Sequence, residues 1–587
     1  REVPSAVLAQ NGSQGAITSL FLRGGESDYV LVLVDGVRVN NPGGQYDFAN
    51  LTLDNVERIE VVRGPVSVLY GSDAVTGVVQ IFTRRQTERQ VRLSARGGGG
   101  ARITPDSLAS DRYGASSLNL ELGGSSGAFS YSAGAGQLRS GGLYAFNNQY
   151  RNTAGSARAA LQIADRTALS WTGRLTDSRY HYPTDGNGRL VDRNQHRTSE
   201  SFVTGVELHS QPAARVGASL RAGLSHHDER YTDLPDAASD TLGTHTTRSI
   251  GRVRRQFVEL NTSYYAGTNA ILTAGAELER QRDRNRYDSD GEFGPFQSRF
   301  GRERTNRAAF AQVIASAGGL SLNGGLRTDH NNRFGDFLTY RAGAAIRAAG
   351  NTRIRLAAGT AFKEPTFFEN YAEGFTKGNP HLEPEHSRNW EIGLEQTLPS
   401  ALGRVQLTVF DQRFRDLIQY VPRAPGSTEP NYENVAAAKA RGAELEWSVA
   451  LRPFTLTGSV SALATKALDA AAVDDPQFEP GERLLRRPEH QASIVLGYAR
   501  GPVTADLRWL RIGARDDLDF SSFPFQRVRL DAYSRLDLGA AIRLKAPWPV
   551  TLTARTENLL DRAYDEILNF PAGRRTFWLG IETEFDW

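Results

Sequence analysis

The sequence predicts an all-β membrane protein, a roughly 22-stranded antiparallel transmembrane β-barrel that follows a small N-terminal α+β unit. Three observations carry this. From Gln90 onward apolar and polar residues alternate with a period of two, in segments separated by turns and by long loops rich in Gly, Asp and Asn. The last segment alternates to the end and stops on the aromatic Trp587. No apolar run in the 587 residues is long enough for a membrane-spanning helix, which excludes a helical membrane protein.

The first unit has a different pattern. Within Ser19–Arg85, Leu31, Val32, Leu33 and Val34 form an unbroken apolar run ending at Asp35-Gly36, which predicts a strand buried on both faces and stopped by a tight turn. The chain breaks again at Arg63-Gly64-Pro65 and at Tyr70-Gly71-Ser72-Asp73, before a last strand over Val78–Thr83. Ahead of these, Arg1–Gln10 reads as the end of a helix and the strand after it, with Pro4 as the breaker. The unit resembles the plug domain of TonB-dependent outer-membrane transporters, through LFLRGG (20–25), VLVDGVRVN (32–40), VERIEVVRGP (56–65), LYGSDAVTGVVQI (69–81) and the closing TRR (83–85). The resemblance implies a plug domain over residues 1–87 inside the lumen of a barrel over residues 88–587. It also implies TonB of the inner-membrane energy complex as a partner, reached through a segment expected ahead of Arg1. The lack of Met at position 1 is expected of a sequence that starts after a removed signal segment or after another part of a longer protein.

The barrel segments can be checked one by one. Val216, Ala218, Leu220, Ala222 and Leu224 alternate with Arg215, Gly217, Ser219, Arg221 and Gly223, and Ala443, Leu445, Trp447 and Val449 alternate with Gly442, Glu444, Glu446 and Ser448. One face is expected to meet lipid and the other water. A soluble β-sandwich gives the same alternation, so the argument rests on the number of segments and on the C-terminus. There Phe577, Leu579, Ile581, Thr583, Phe585 and Trp587 share one face while Glu582, Glu584 and Asp586 take the other. Further resemblance to the same family lies in NPHLEPEHSRNWEIGLE (379–395), RGAE (441–444) and ENLLD (557–561). The implied setting is the bacterial outer membrane, with its lipids and lipopolysaccharide as neighbours.

Composition narrows the function. The 69 basic and 66 acidic residues form no single-sign blocks, so nucleic acid is not expected as a partner. There is no cysteine, hence no disulfide or thiolate metal site. No P-loop is present, Gly134-Ala135-Gly136 fails the dinucleotide spacing, and Gly12-Ser13-Gln14-Gly15 is a turn and not a nucleophile elbow. An enzyme is therefore not expected, and a passive porin or outer-membrane hydrolase is disfavoured.

Candidate site residues fall in three groups. The plug turns Asn40, Asn41, Gln45, Tyr46 and Asp47, with Ser72 and Asp73 as a second apex, supply amides, a phenol and backbone that suit a neutral, hydrogen-bond-rich ligand. Tyr180 and Tyr182 add an aromatic patch. Gly513–Pro524 is similar to a segment of the cobalamin transporters, which implies Arg515 as a ligand contact and cobalamin or a related corrinoid as the cargo. No cofactor is required, although Asp185, Asn187 and Asp192 offer oxygens for a calcium ion, as clustered aspartates do in cobalamin transporters. Arg23, Arg58 and Arg63 are candidates to lock the plug to Glu391 and Glu444 on the inner wall, as the resemblance implies. Ferric-siderophore and heme receptors share the architecture, with His381, His386 and His226-His227 as possible axial ligands, and a surface lipoprotein partner stays open.

Overall fold

The structure, a computed structural model, describes residues 2–85, 89–101, 112–237, 244–292, 294–348, 350–374, 376–424, 426–469, 476–521, 524–545 and 548–586. The expected domain boundary at 87/88 and the terminal Trp587 lie outside the described residues. Twenty-two strands close into one barrel. Its first strand, Gln90–Ala101, pairs antiparallel with Arg112–Ser126 on one side and with the last, Thr576–Asp586, on the other, so that Phe577 faces Gly99 and Phe585 faces Val91. This seam removes the open edge, whose unpaired N–H and C=O groups would each cost several kcal/mol in hydrocarbon.

Neighbouring strands are joined at one end by short turns, as between Tyr150–Ala164 and Thr167–His181 or between Thr244–Ala266 and Ala270–Gly291. At the other end the connections are long, as between Thr352–Lys363 and Glu385–Thr397. Outer-membrane barrels keep short turns on the periplasmic side, so the long-loop end faces outward. The period-two pattern becomes an inside and an outside. On Ala270–Gly291, Leu272 and Leu278 are exposed while Glu277, Glu279 and Gln281 are buried toward the lumen.

The plug is a four-stranded mixed sheet within the barrel. Val30–Val34 pairs parallel with Gly77–Thr83 and antiparallel with Val37–Arg38, and Val56–Arg63 completes the sheet against Gly77–Thr83. Leu31, Val32, Val78 and Ile81 are fully buried, which is why the first run is apolar at every position and not at alternate ones. The turn after it has Asp35 at φ 47° and Gly36 at φ 83°, the doubly left-handed geometry of a tight hairpin. Asp35 also accepts bonds from the amide (3.0 Å) and hydroxyl (2.9 Å) of Thr83, tying the turn to the end of the parallel strand beside it.

Two local expectations change. Regular helix in the plug is confined to Ser67–Tyr70, with 3-10 turns at Ser27–Tyr29 and Phe48–Asn50. Residues 2–5 form no helix end: Ser5 sits at φ 54°, and the chain passes directly into the strand Ala6–Gln10, paired with Thr18–Leu22. The wall holds it there, since the amide of Ser5 donates to Ser461 Oγ (3.2 Å) and Gln491 Nε2 donates to the carbonyl of Ala6 (3.0 Å).

Candidate ligand site and plug anchorage

The plug meets the wall through buried ion pairs. Arg23, 3% exposed, reaches Glu391 at 2.6 Å and Glu444 at 2.8 Å and lies over the Phe410 ring. Arg63 reaches the same Glu444 at 2.8 Å and also pairs with Glu446. Burial works against the charge on Arg23, but Glu444 and then Glu391 outweigh it and its pKa rises. One carboxylate with no solvent exposure therefore serves two plug cations. The third candidate cation differs: Arg58 is exposed, pairs with Glu60 (2.6 Å) and Glu57 (3.6 Å) on its own strand, and lies over Phe82. Its strand position directs it away from the wall. Arg58→Ala is expected to leave the melting temperature and the proteolytic resistance of the plug as they are in the parent, and a loosened plug in a protease time course would contradict this placement.

Several anchors carried no sequence signal beyond charge. Arg38, flanked by Val37 and Val39 in an otherwise apolar stretch, reaches Glu277 at 2.6 Å and also pairs with Glu279. Asp54 pairs with Arg174 at 2.8 Å, and Asp28 pairs with Lys363 at 3.0 Å. The acid-x-acid spacing of Glu277 and Glu279 places both on the lumen face of one strand, and that period is the only trace the sequence holds of them.

The expected apex residues separate into frame and surface. Asn40 is buried: its Oδ1 accepts from the Val32 amide (2.7 Å), and its Nδ2 donates to the carbonyls of Val30 and Gly44. Ser72 and Asp73 are also buried and form no exposed second apex. The Asp73 amide donates to the Phe362 carbonyl (3.1 Å), and its carboxylate stands 3.6 Å from Arg255. Burial raises the Asp73 pKa, with Arg255 pulling it down. Asp47 caps the turn at Phe48–Asn50, accepts from the Thr18 amide, and pairs with Arg197 at 2.7 Å. Tyr46 is half-buried with its ring edge-on to Phe48.

Tyr180 and Tyr182 stack at 5.4 Å, and Tyr231 continues the stack. Tyr180 is nearly buried and packs with Tyr150 and Ala16, so this end of the patch grips the plug. Arg515 is likewise buried: its Nη2 donates to the carbonyls of Asp565 and Glu566, its guanidinium lies over the Tyr533 ring, and its Nη1 has no hydrogen-bond partner among the described residues. Asp185, Asn187 and Asp192 make no cage. Asp185 accepts from the amides of Asn187 and Arg189 and pairs with the Arg189 guanidinium, while Asp192 accepts from the amides of Asn194 and Gln195. Among the described residues no group of three or more His, Asp and Glu side chains is placed to hold a metal ion.

Asn41 and Gln45, in contrast, line a cavity of about 450 Å³ between the plug turn and the wall. Glu26, Ser27 and Asp28 of the plug, Asp283 of the wall and Thr366–Phe368 of the long loop complete it. A capping box at Thr366 fixes the short helix Phe367–Tyr371 and thereby the two phenylalanines. Burial pushes the Asp28 carboxyl up to about 6, Lys363 opposes this, and Glu26 and Glu369 add to it. Three carboxylates and two amides line this cavity, and neither Arg nor Lys does. A second, polar cavity of about 820 Å³ separates the plug from the wall beside the barrel seam, among Gln10, Thr52, Arg92, Asn119, Glu121 and Trp578.

Two family models match the chain: the TonB-dependent Receptor Plug Domain over residues 1–78 and the TonB dependent receptor-like β-barrel over residues 130–559. Vitamin B12 transporter BtuB of Vibrio cholerae is 28% identical over 596 residues, covering 100% of this chain and 89% of that protein. Solved structures with the same fold include the siderophore receptor PirA from Acinetobacter baumannii (TM-score 0.78, 16% identity, 100% of this chain and 95% of that one). The copper transporter OprC (TM-score 0.79, 16% identity, 99% and 95%) and a ferric enterobactin receptor of Pseudomonas aeruginosa (TM-score 0.77, 17% identity, 100% and 95%) share it too. With a closed barrel around a plug and a barrel model matching most of its length, this chain belongs to the TonB-dependent receptor family of outer-membrane transporters.

Proposed function

We propose that this transporter carries cobalamin or a related corrinoid inward across the outer membrane. The observation that carries the reading is the outward cavity lined by Glu26, Asp28, Asp283, Asn41 and Gln45 with no basic side chain. A corrinoid presents peripheral carboxamides, whose N–H groups donate to carboxylates and amide oxygens, and apolar edges that suit Phe367 and Phe368. A ferric tris-catecholate carries net negative charge and calls for cations in the lining, whereas the nearest ones, Lys363 and Arg487, are taken up by Asp28 (3.0 Å) and Glu26 (2.8 Å) and do not line the cavity. The full-length kinship with a vitamin B12 transporter supports the same cargo. The two cavities suit a gate: ligand rests on the plug turn, and a pull on the N-terminal side through TonB shifts a plug that is held by ion pairs and not by a continuous apolar seal.

Calorimetric titration of the purified protein with cyanocobalamin, with and without calcium, is expected to give saturable heat with nanomolar-range affinity. The calcium arm tests whether the Asp185–Asp192 loop contributes, even though it holds no preformed cage. Absence of heat with the corrinoid in both arms, together with saturable heat from a ferric siderophore or heme, would overturn the reading.

A further inference from the structure

The three carboxylates that line the outward cavity are not equivalent. Asp28 is paired with Lys363 (3.0 Å) and Glu26 with Arg487 (2.8 Å). Asp283, half-buried on the wall strand Ala270–Gly291, takes part in no ion pair and no hydrogen bond among the described residues. The guanidinium of Arg304 does not reach it, being paired with Glu364 (2.9 Å). The two amides of the lining also keep unused capacity. Gln45 accepts at Oε1 from the hydroxyls of Ser19 and Ser27 (2.7 Å each), which leaves its Nε2 to donate. Asn41 is exposed, and its side chain bonds to no described residue. About 450 Å³ of space is therefore bordered by one ionised acceptor without a partner and by two amides with donors to spare, while every nearby cation is already committed.

We propose that Asp283 makes this cavity selective for primary carboxamides and closes it to carboxylates of the same shape. The inference rests on the corrinoid reading above and names which chemical form of that cargo is admitted. A primary carboxamide carries two N–H donors and one acceptor oxygen. Its N–H groups donate to the Asp283 carboxylate, a charge-assisted bond, and its oxygen accepts from Gln45 Nε2 or from Asn41. A carboxylate in the same place has no proton to donate. It also sets a like charge beside Asp283, and Lys363, Arg487 and Arg304 are bound elsewhere and cannot answer it. A methyl ester separates the two effects, because it is neutral but lacks the N–H. Discrimination of this kind is steep where a site is built to bond a donor that the analogue lacks.

The test is calorimetric titration of the full chain at pH 8 with cyanocobalamin, with its monocarboxylic acids, each made by hydrolysing one peripheral carboxamide, and with the methyl esters of those acids. At least one acid isomer is expected to bind roughly tenfold more weakly than cyanocobalamin, with its ester in between. In Asp283→Asn the same acid is expected to come within roughly threefold of cyanocobalamin, since the charge is gone and an amide donor faces the ligand. Asn41→Asp, at an exposed turn position that tolerates the change, adds a carboxylate to the lining and is expected to widen the ratio roughly threefold further; it decides the matter should Asp283→Asn fail to give a folded barrel. Acids and cyanocobalamin binding alike, an ester binding as tightly as the amide, or a ratio that stays the same in whichever variant folds overturns the proposal and leaves the corrinoid reading standing. Absence of heat with every corrinoid removes both.

Discussion

Glu391→Ala/Glu444→Ala is expected to release the plug from the wall, with rapid proteolysis within residues 20–65 and a rise in single-channel leakage across lipid bilayers. The physical reason lies in what each substitution strands. Glu444 alone leaves Arg23 with Glu391 and Arg63 with Glu446, so the single change costs about 3 kcal/mol, the lower end for breaking a buried pair. Removing Glu391 as well leaves the buried Arg23 facing only the Phe410 ring, and the cost rises to about 5 kcal/mol. A third substitution separates charge from packing. Adding Arg23→Ala removes the stranded cation and is expected to restore part of the melting temperature that the double variant loses. Conductance and protease resistance equal to the parent in the double variant would show that the plug is held elsewhere, with Arg38–Glu277 the next anchor to remove.

Gly43→Ala is expected to displace the plug turn and to abolish saturable corrinoid heat while leaving the barrel folded. Gly43 sits at φ 68°, and a Cβ there would stand 2.2 Å from the carbonyl oxygen of Glu364 and 2.8 Å from that of Pro365. Neither can retreat easily. Arg304 pairs with the Glu364 carboxylate at 2.9 Å and donates to the Pro365 carbonyl at 2.7 Å, and Glu364 is itself buried. The left-handed conformation costs roughly 1 kcal/mol for alanine, and the forced shift adds roughly 1–3 kcal/mol. The shift falls on the Asn41–Gln45 turn that lines the outward cavity. Gly44→Ala is the matched control, since its Cβ would meet nothing closer than 3.4 Å. Equal titration curves for the two variants would remove the Asn41–Gln45 turn from the ligand site.

These two residues also show how far the sequence reaches. Asn-Asn-Pro-Gly-Gly reads as a turn because Pro and Gly set its dihedrals, and that reading holds at Gly43. Which of the two asparagines lines the cavity is invisible locally: Asn40 and Asn41 are identical in chemistry, yet one is buried holding the strand Val30–Val34 and the other faces the open space. Glu391 and Glu444, singled out through the family resemblance, fall on lumen-facing positions of alternating strands, and there they meet Arg23. Arg23 and Arg58, equal candidates by composition, diverge by position: Arg23 is buried against Glu391 and Glu444, while Arg58, exposed on the strand whose last residue Arg63 reaches the wall, pairs with Glu57 and Glu60 beside it. Tyr180, Asp73 and Arg515 diverge from their sequence reading in another way: residue type suggests ligand contacts, and the fold buries all three, Tyr180 against Tyr150, Asp73 near Arg255 and Arg515 against the carbonyls of Asp565 and Glu566.

By itself the sequence determined the period, hence the strands, the sidedness of the barrel, the apolar sheet of the plug and the closing segment, because these depend on contacts between residues a few positions apart or on burial of whole faces. The tertiary structure alone decided which charge meets which. Arg23 and Glu391 are 368 positions apart, Arg63 and Glu444 are 381 apart, and Asp283 joins Asn41 only across the lumen. A closed barrel fixes such meetings through the register of every strand around its circumference, and local patterning carries no record of that sum.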